Sequence, residues 1–525
     1  MTISLDIDLA KLDKIFEPYN RSDQPGLAVG VAHRGLPIYR RGFGLANAEL
    51  PVALSPGIRM RIGSTTKHFC CLAIMLLAED GKLSPGDSVR RHIPELGDWA
   101  EPVTLAALMS HTGGVRCSLD IVHMLADGMG RPLPTAAQRK ILTDLKSVNF
   151  PAGEAWTYSN GGYVLLTEVV ERVGGAAFGD FLKERILDPA GLHDTLMRPI
   201  DTSCLPNSAA LHVRNAQGGF DRGVFGPAIG GEGGIVSTVD DMLRWLAHMD
   251  APKVGSPATW AAMRTPVRLK NGASTGYGFG LFLGDYRGLE TVHHSGSVLG
   301  GASQMLKVIG HDLDIVMMSN LAGIGPMQLT EALLDACFIG LEPSIEMTPG
   351  PSPTGDFYSA HSGRLLRLAN TDGVPAIDFD GPAPFPIKRS ADGTLFAPGL
   401  TDVSVVPVDG GVDWREFGAV DHLAPVTAPA KPEIPGLVGL YASPEIGVTA
   451  AIAVGDEAGG PVARLRFSGP LGEARYRLDP RAPGVWSVIS ETSGGGAVVE
   501  RDADGFLFSS SRVRRLRFVR TEPAA

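Results

Sequence analysis

The chain has 525 residues, a formal net charge of −10, 44% hydrophobic and 20% charged residues. That balance excludes a disordered chain and argues against a nucleic-acid partner, which needs clustered Lys and Arg. The length exceeds what one hydrophobic core organises, so two or three domains are expected.

No run approaches the roughly 18 apolar residues of a membrane span, and residues 1–20 lack the apolar centre of a secretory signal. Cys70, Cys71, Cys117, Cys204 and Cys337 are irregularly spaced, as expected of reduced, buried thiols. The chain reads as soluble and cytoplasmic, without a membrane partner. Between Gly26 and Leu45 the residues alternate about His33-Arg34-Gly35, which predicts a β-hairpin. After Ser64, the residues Phe69, Cys70, Leu72, Ala73, Ile74, Leu76 and Leu77 leave almost no polar face. Such a helix belongs in the middle of a domain, and Asp80-Gly81 can close it. Strand-like runs follow at 277–283, 291–294, 303–309 and 313–319, then an amphipathic helix at about 326–339. Strands from both ends with helices between predict an α+β unit on an antiparallel sheet. Residues 342–353 and 424–436 are Pro-rich and read as linkers. The blocks they bound hold short strand-like runs and Gly-centred turns, which predict two small antiparallel β-barrels. The expected domains are therefore 1–341, 354–423 and 436–525.

Three short motifs carry chemistry. Ser64-Thr65-Thr66-Lys67 opens the buried helix, and one turn sets residues i and i+3 on the same face, ammonium beside hydroxyl. Serine is a poor nucleophile until a neighbour takes its proton. A buried lysine, its pKa lowered by desolvation, can take that proton or hold another base anionic. An N-cap serine with a solvated lysine is the ordinary reading of such a motif, and the apolar helix behind Lys67 argues against it. Tyr158-Ser159-Asn160 follows Phe150-Pro151-Ala152-Gly153 in a loop. A phenol relays protons when a cation stabilises its phenolate, and the Asn160 amide can hold Lys67 and a substrate carbonyl. His294-Ser295-Gly296, followed by Ser297, ends a candidate strand. A strand edge beside a nucleophile supplies a backbone N–H to an oxyanion, and glycine admits substrate closely.

In order and setting these motifs resemble the penicillin-recognising serine hydrolases: class C β-lactamases, DD-peptidases and related esterases. Arg61-Ile62-Gly63, the loop Leu108-Met109-Ser110-His111-Thr112-Gly113-Gly114 and Gly276-Tyr277-Gly278-Phe279-Gly280-Leu281 add to the likeness, which covers about residues 27–339. The resemblance implies a catalytic set of Ser64, Lys67, Tyr158, Asn160 and His294. It also implies an oxyanion hole from the Ser64 and Ser297 N–H groups, substrate contacts from Ser295 and Gly296, and neither metal nor cofactor. His-Ser-Gly replaces Lys-Thr-Gly, and there is no S-D-N or Glu-centred loop, so the tyrosine is the expected base. A cation that would grip a substrate carboxylate is missing from the strand, which counts against a D-Ala-D-Ala carboxypeptidase or a strong β-lactamase.

Within the family the chain is similar to the bacterial D-aminopeptidases, which have His-Gly-Gly and two carboxy-terminal β-barrels. Gly231-Glu232-Gly233-Gly234 is similar to their Gly-Asp-Ala-Gly, so Glu232 is expected to bind a substrate ammonium. Residues 491–497 are expected to border the cleft. The implied activity is hydrolysis of a small peptide or amide/ester substrate through an acyl-enzyme, D-aminopeptidase-like. Hydrolysis of longer linear peptides such as linearised microcystin, carboxylesterase action, and a weakly catalytic penicillin-binding interaction module are the alternatives. Assembly as a homodimer is open. Three further features are read as structural: His111, the arginines of 511–520 on the outer face of a terminal strand, and Gly272-Ala273-Ser274-Thr275-Gly276. The last lacks the strand before and helix after that a nucleophile elbow requires.

Overall fold

The hairpin at 26–45 forms as strands β1 (Leu27–His33) and β2 (Leu36–Phe43), turned by Arg34 and Gly35, both at positive φ. The computed structural model describes residues 2–126, 128–344, 352–371, 374–379, 385–396, 402–430, 435–457, 460–470, 472–490 and 496–521. The hairpin joins β3 (Phe282–Tyr286), β4 (Leu289–Val298), β5 (Gly301–Val308) and β6 (Leu313–Ser319) in a six-stranded antiparallel sheet of order β3-β4-β5-β6-β1-β2. Val29 thus pairs with Met317, a strand from one end of the unit beside one from the other.

Alternation along these strands serves two layers of helix, α1 (Leu9–Phe16), α2 (Lys67–Glu79), α3 (Asn160–Gly174), α4 (Val239–His248) and α5 (Pro326–Cys337). Leu27, Val29, Val31 and Ile315 pack on α1 and α5 through Leu12, Phe16, Leu333 and Leu334. Ala28, Ala32, Val316 and Met318 turn the other way, into the cluster holding Leu72, Val164, Met242, Trp245 and Leu246. α2 is buried from Lys67 through Leu77, as its apolar circumference requires. The run at 277–283 differs from expectation: the strand starts at Phe282, and Tyr277 makes only an isolated bridge to it. Gly276 and Gly280 take φ of 62° and 74°, which curls the segment into a loop. β4 runs on to Val298, so His294-Ser295-Gly296 lies inside the strand and not at its end.

The first carboxy-terminal block is a nine-stranded antiparallel sheet whose end strands, Phe385–Pro386 and Lys388–Arg389, are separated in sequence by Ile387 alone. Its two edges therefore meet without pairing; the barrel is nearly closed. The second block is a closed barrel of strands running from Gly439–Ala442 to Leu516–Arg520. Parts of both linker stretches, 345–351 and 431–434, lie outside the described residues, and the strand Ala419–Val426 extends into the second stretch. All five cysteines are unpaired; Cys204 is exposed, contrary to the expectation that all are buried. Among the described residues no helix is long and apolar enough to cross a membrane.

The closed barrel is fastened to the α+β unit by a buried ion pair. Arg116 Nη1 reaches Glu445 Oε2 at 3.1 Å, with both side chains at most 6% exposed. Arg116 also donates to the Ser147 carbonyl at 2.6 Å, and Glu445 accepts from Lys146 N at 3.0 Å. Tyr476 of the barrel donates to the Met124 carbonyl at 2.6 Å. Removing one partner of such a pair strands the other charge, at a cost of about 3–5 kcal/mol. Glu445→Ala is expected to lower resistance to denaturant by an amount of that order and to make residues 427–436 sensitive to protease. Unchanged denaturation and digestion would show that the pair does not hold the barrel.

Candidate active site

The 3₁₀ turn Gly63–Thr66 runs directly into α2 and leaves Ser64 and Lys67 on one side of the helix entrance. Lys67 Nζ lies 3.1 Å from Ser64 Oγ. Its other contacts are Asn160 Oδ1 at 2.8 Å and the main-chain carbonyl of Glu232 at 2.6 Å. Lys67 has no solvent exposure. Burial pulls its pKa down to about 7; Glu232 opposes the shift and Arg512 adds to it. In the neutral amine two N–H groups suffice for the two carbonyl oxygens, and the lone pair is left for the Ser64 hydroxyl.

Tyr158 is held by a template. The loop containing His111, whose φ is 60°, accepts a hydrogen bond from Thr157 N on the His111 carbonyl (3.1 Å) and one from Ser159 N on His111 Nδ1 (3.1 Å). Ser159 caps α3 by accepting from Gly162 N at 3.3 Å, which sets Asn160 at the first turn of that helix. The His111 ring lies 4.2 Å from the Tyr158 ring and 5.1 Å from that of Tyr277. Two cations approach the Tyr158 ring: Lys67 Nζ at 4.7 Å and the Arg512 guanidinium at 4.9 Å from its centroid. Burial pushes the Tyr158 pKa up; the neighbouring Ser64 hydroxyl and the charge of Arg512 offset only part of this. Burial thus favours the phenol form of Tyr158 and the neutral amine of Lys67.

The third wall is a sheet edge. β3 stops opposite His293, so from His294 onward β4 pairs only with β5. That edge presses on the nucleophile turn. A Cβ on Gly63 (φ 50°) would stand 2.7 Å from Ser297 N, and one on Gly296 would stand 1.9 Å from the Ile62 carbonyl oxygen. Both positions must therefore be glycine, and the close approach brings the Ser297 amide beside the Ser64 turn. The bare α-carbon of Gly296 faces Ile62, so its lack of a side chain serves the approach of the Ser64 turn. Thr65 Oγ1 donates to the His294 carbonyl at 3.2 Å, and Ser303 Oγ donates to the Ile62 carbonyl at 2.8 Å, riveting turn to sheet.

His294 is brought near this group but does not hydrogen-bond to Ser64, Lys67 or Tyr158. Its Nδ1 lies 2.6 Å from the Ser295 carbonyl and its Nε2 lies 3.1 Å from Tyr277 Oη; its ring centroid is 6.3 Å from that of Tyr158. Burial, with Lys67 adding, holds its pKa well below the ordinary value, so the ring is neutral. Ser295 contributes its carbonyl to that contact. Glu232 departs from expectation: the residue is 3% exposed. Burial pushes its carboxyl pKa up, with its own N–H and that of Gly230 pulling it back. The side chain is shut off from solvent in this structure, and it is the main-chain oxygen of Glu232 that meets Lys67.

Arg512 was anticipated on the outside of a strand, yet it lies before the strand Leu516–Arg520 and over Tyr158. Most of the loop 491–497, expected at the cleft, lies outside the described residues. Ser274 is exposed and forms an isolated bridge with Arg268, and its Oγ accepts from Gly276 N at 3.3 Å, in keeping with a structural role. Among the described residues no three His, Cys, Asp or Glu side chains converge as a metal site.

A family model described as Beta-lactamase matches residues 12–337. The D-aminopeptidase of Gluconobacter oxydans is 23% identical over 504 residues, covering 91% of this chain and 93% of the relative. Penicillin-binding protein 4* of Bacillus subtilis is 28% identical over 333 residues, covering 59% of this chain and 71% of its own length. Among solved structures, the octameric penicillin-binding protein homologue from Pyrococcus abyssi aligns over 97% of this chain and 99% of its own, with a TM-score of 0.57 and 20% identity. The D-amino acid amidase from Ochrobactrum anthropi aligns over 63% of this chain and 98% of its own, with a TM-score of 0.53 and 20% identity. At that identity the two structures speak for the fold alone.

The depressed Lys67 pKa has a measurable consequence. Above about pH 7 the amine is neutral and free to take a proton; below it, the amine is protonated. The rate of Ser64 labelling by a fluorophosphonate is expected to rise with pH through an apparent pKa near 7. Lys67→Arg, which keeps its charge, should label about 10²-fold more slowly at neutral pH. A rate independent of pH from 5 to 9 would contradict this assignment.

Proposed function

The chain belongs to the beta-lactamase family, and on that footing we propose that it is a serine amide hydrolase with D-aminopeptidase-like activity, working through an acyl-enzyme on Ser64. The observation that carries the reading is Lys67 Nζ at 3.1 Å from Ser64 Oγ, with its remaining contacts taken by Asn160 and the Glu232 carbonyl. The similarity to a D-aminopeptidase over 91% of the chain supports the amide class.

In the proposed cycle, Ser64 Oγ attacks the amide carbonyl carbon as its proton passes to neutral Lys67. The backbone N–H groups of Ser64 and Ser297 hold the oxyanion; such a donor contributes about 3–4 kcal/mol to lowering the barrier. Tyr158, a phenol in the resting site, donates its proton to the leaving nitrogen as the C–N bond breaks, and Lys67 restores it. The amine thus leaves with the Tyr158 proton, and the Ser64 proton ends on Tyr158 by way of Lys67. Water then attacks the ester by the same route in reverse. Asn160 holds the Lys67 amine, and His294 holds Tyr277 against the aromatic cage of Tyr158. Five unpaired cysteines, four of them buried, fit a reducing compartment such as the cytoplasm.

A second reading, cleavage of longer linear peptides or of esters, is favoured by one observation: the Glu232 carboxylate is closed off from the cleft, which removes the expected anchor for a free amino terminus. Rates on D-Ala-p-nitroanilide, its L form and its N-acetyl derivative separate the two. Loss of turnover on acetylation supports the aminopeptidase; indifference supports the second reading. Ser64→Ala is expected to lower turnover of every acyl substrate by more than about 10⁴-fold while leaving circular dichroism and thermal unfolding unchanged. Retained activity in that variant would discard Ser64 as the nucleophile.

A further inference from the structure

The turn joining the last two strands of the closed barrel, residues 510–515, lies against the α+β unit and is pinned there by its backbone. The Arg512 carbonyl accepts from Cys117 N at 3.3 Å and from Asn149 Nδ2 at 3.1 Å. Arg514 N donates to Asn149 Oδ1 at 2.8 Å, and the Arg514 carbonyl accepts from Arg116 Nε and Nη2 at 3.3 and 3.1 Å. Arg116 is itself locked by Glu445. A side chain presented from so fixed a backbone occupies a defined position.

That side chain is Arg512. Its guanidinium carbon stands 4.9 Å from the Tyr158 ring centroid, the ring that Lys67 Nζ approaches at 4.7 Å. Two arginines show what a saturated pair looks like: Arg222 reaches Glu49 at 2.6 and 2.5 Å, and Arg61 reaches Asp201 at 2.8 and 2.5 Å. Arg512 makes no such pair. Among the described residues its guanidinium makes no hydrogen bond; Asp120 Oδ1 lies 3.8 Å from Nη1, and the side chain is 41% exposed. A partner at that separation steadies the guanidinium without saturating its donors. A planar fork of N–H donors is thus held open beside the nucleophile's proton relay, and the group such a fork matches is a carboxylate.

We infer that Arg512 is the carboxylate-binding residue of the cleft, so that the preferred substrates carry an anionic carboxylate close to the scissile amide. This rests on the amide hydrolase reading and names its substrate class. It also makes the closed barrel part of the binding site, since the residue that selects the substrate comes from its last turn.

The test uses the full chain and substrates that differ only in the carboxylate: alanyl-glycine, with D- and L-alanine, against the corresponding alanyl-glycinamides. The unaltered enzyme is expected to prefer the acid by at least about tenfold in kcat/KM. Arg512→Met should collapse that preference toward one, mainly by raising KM for the acid, and Arg512→Lys should restore part of it. A preference that survives in Arg512→Met, or its absence in the unaltered enzyme, would overturn the proposal. So would a loss in Arg512→Met falling equally on acid, amide and p-nitrophenyl acetate, which would mean that the guanidinium acts through Tyr158. Fluorophosphonate labelling of Ser64 in each variant reports an intact site. Labelling of the unaltered enzyme without turnover of any dipeptide overturns the substrate class alone; absence of both labelling and turnover overturns the hydrolase reading, and the proposal with it.

Discussion

A lysine side chain without solvent contact has to be satisfied by the protein, and the site is organised around that requirement for Lys67. Its two carbonyl contacts come from Asn160 and Glu232, which are 93 and 165 residues away in the chain. Each fixes a separate wall: the first turn of α3 with the tyrosine loop before it, and the glycine-rich loop behind the nucleophile. The burial that makes the ammonium costly also draws its pKa to about 7, where the neutral amine is accessible. The same desolvation acts in the opposite sense on Tyr158 and keeps it a phenol. Two titratable groups beside one hydroxyl are thereby driven apart, one toward accepting a proton and the other toward donating one.

The second constraint is steric. The nucleophile turn and the edge of β4 approach so closely that Gly63 and Gly296 have no room for a Cβ. Antiparallel pairing between β1 and β6 closes the unit and so positions that edge. The register from His294 to Ser297 against β5 then decides which amide stands beside Ser64. A slip of one residue would exchange the faces of His294 and Ser295 and remove the Ser297 amide from the turn.

Much of this was legible in the sequence because it depends on local spacing. The hairpin, the buried helix and the pairing of Ser64 with Lys67 follow from periods of two residues and of one helical turn, and the α+β class followed from the order of the elements. What spacing does not encode was read less well. The sequence points to Glu232, but a loop has no periodicity to say that its carbonyl, not its carboxylate, faces Lys67. The apolar run at 277–283 looked like a strand because Tyr277, Phe279 and Leu281 alternate with glycines; those glycines bend it instead. His111 was read as structural, yet its positive φ and its bonds to Thr157 and Ser159 set the tyrosine loop, a role visible only in three dimensions. Arg512 was placed on an outer face because nothing near it in sequence marks a contact spanning most of the chain; the neighbouring bond from Arg116 to Arg514 joins residues 398 positions apart.

The apolar cluster that holds Leu72 and Val164 continues without a break into Leu465, Phe467 and Phe506 of the closed barrel. Modules joined through a polar seam swing relative to one another by default, whereas a shared oily interior resists such motion. Here the terminal module shares its interior with its neighbour, so swinging it away would bare apolar side chains to water and carries a cost that a polar seam would not.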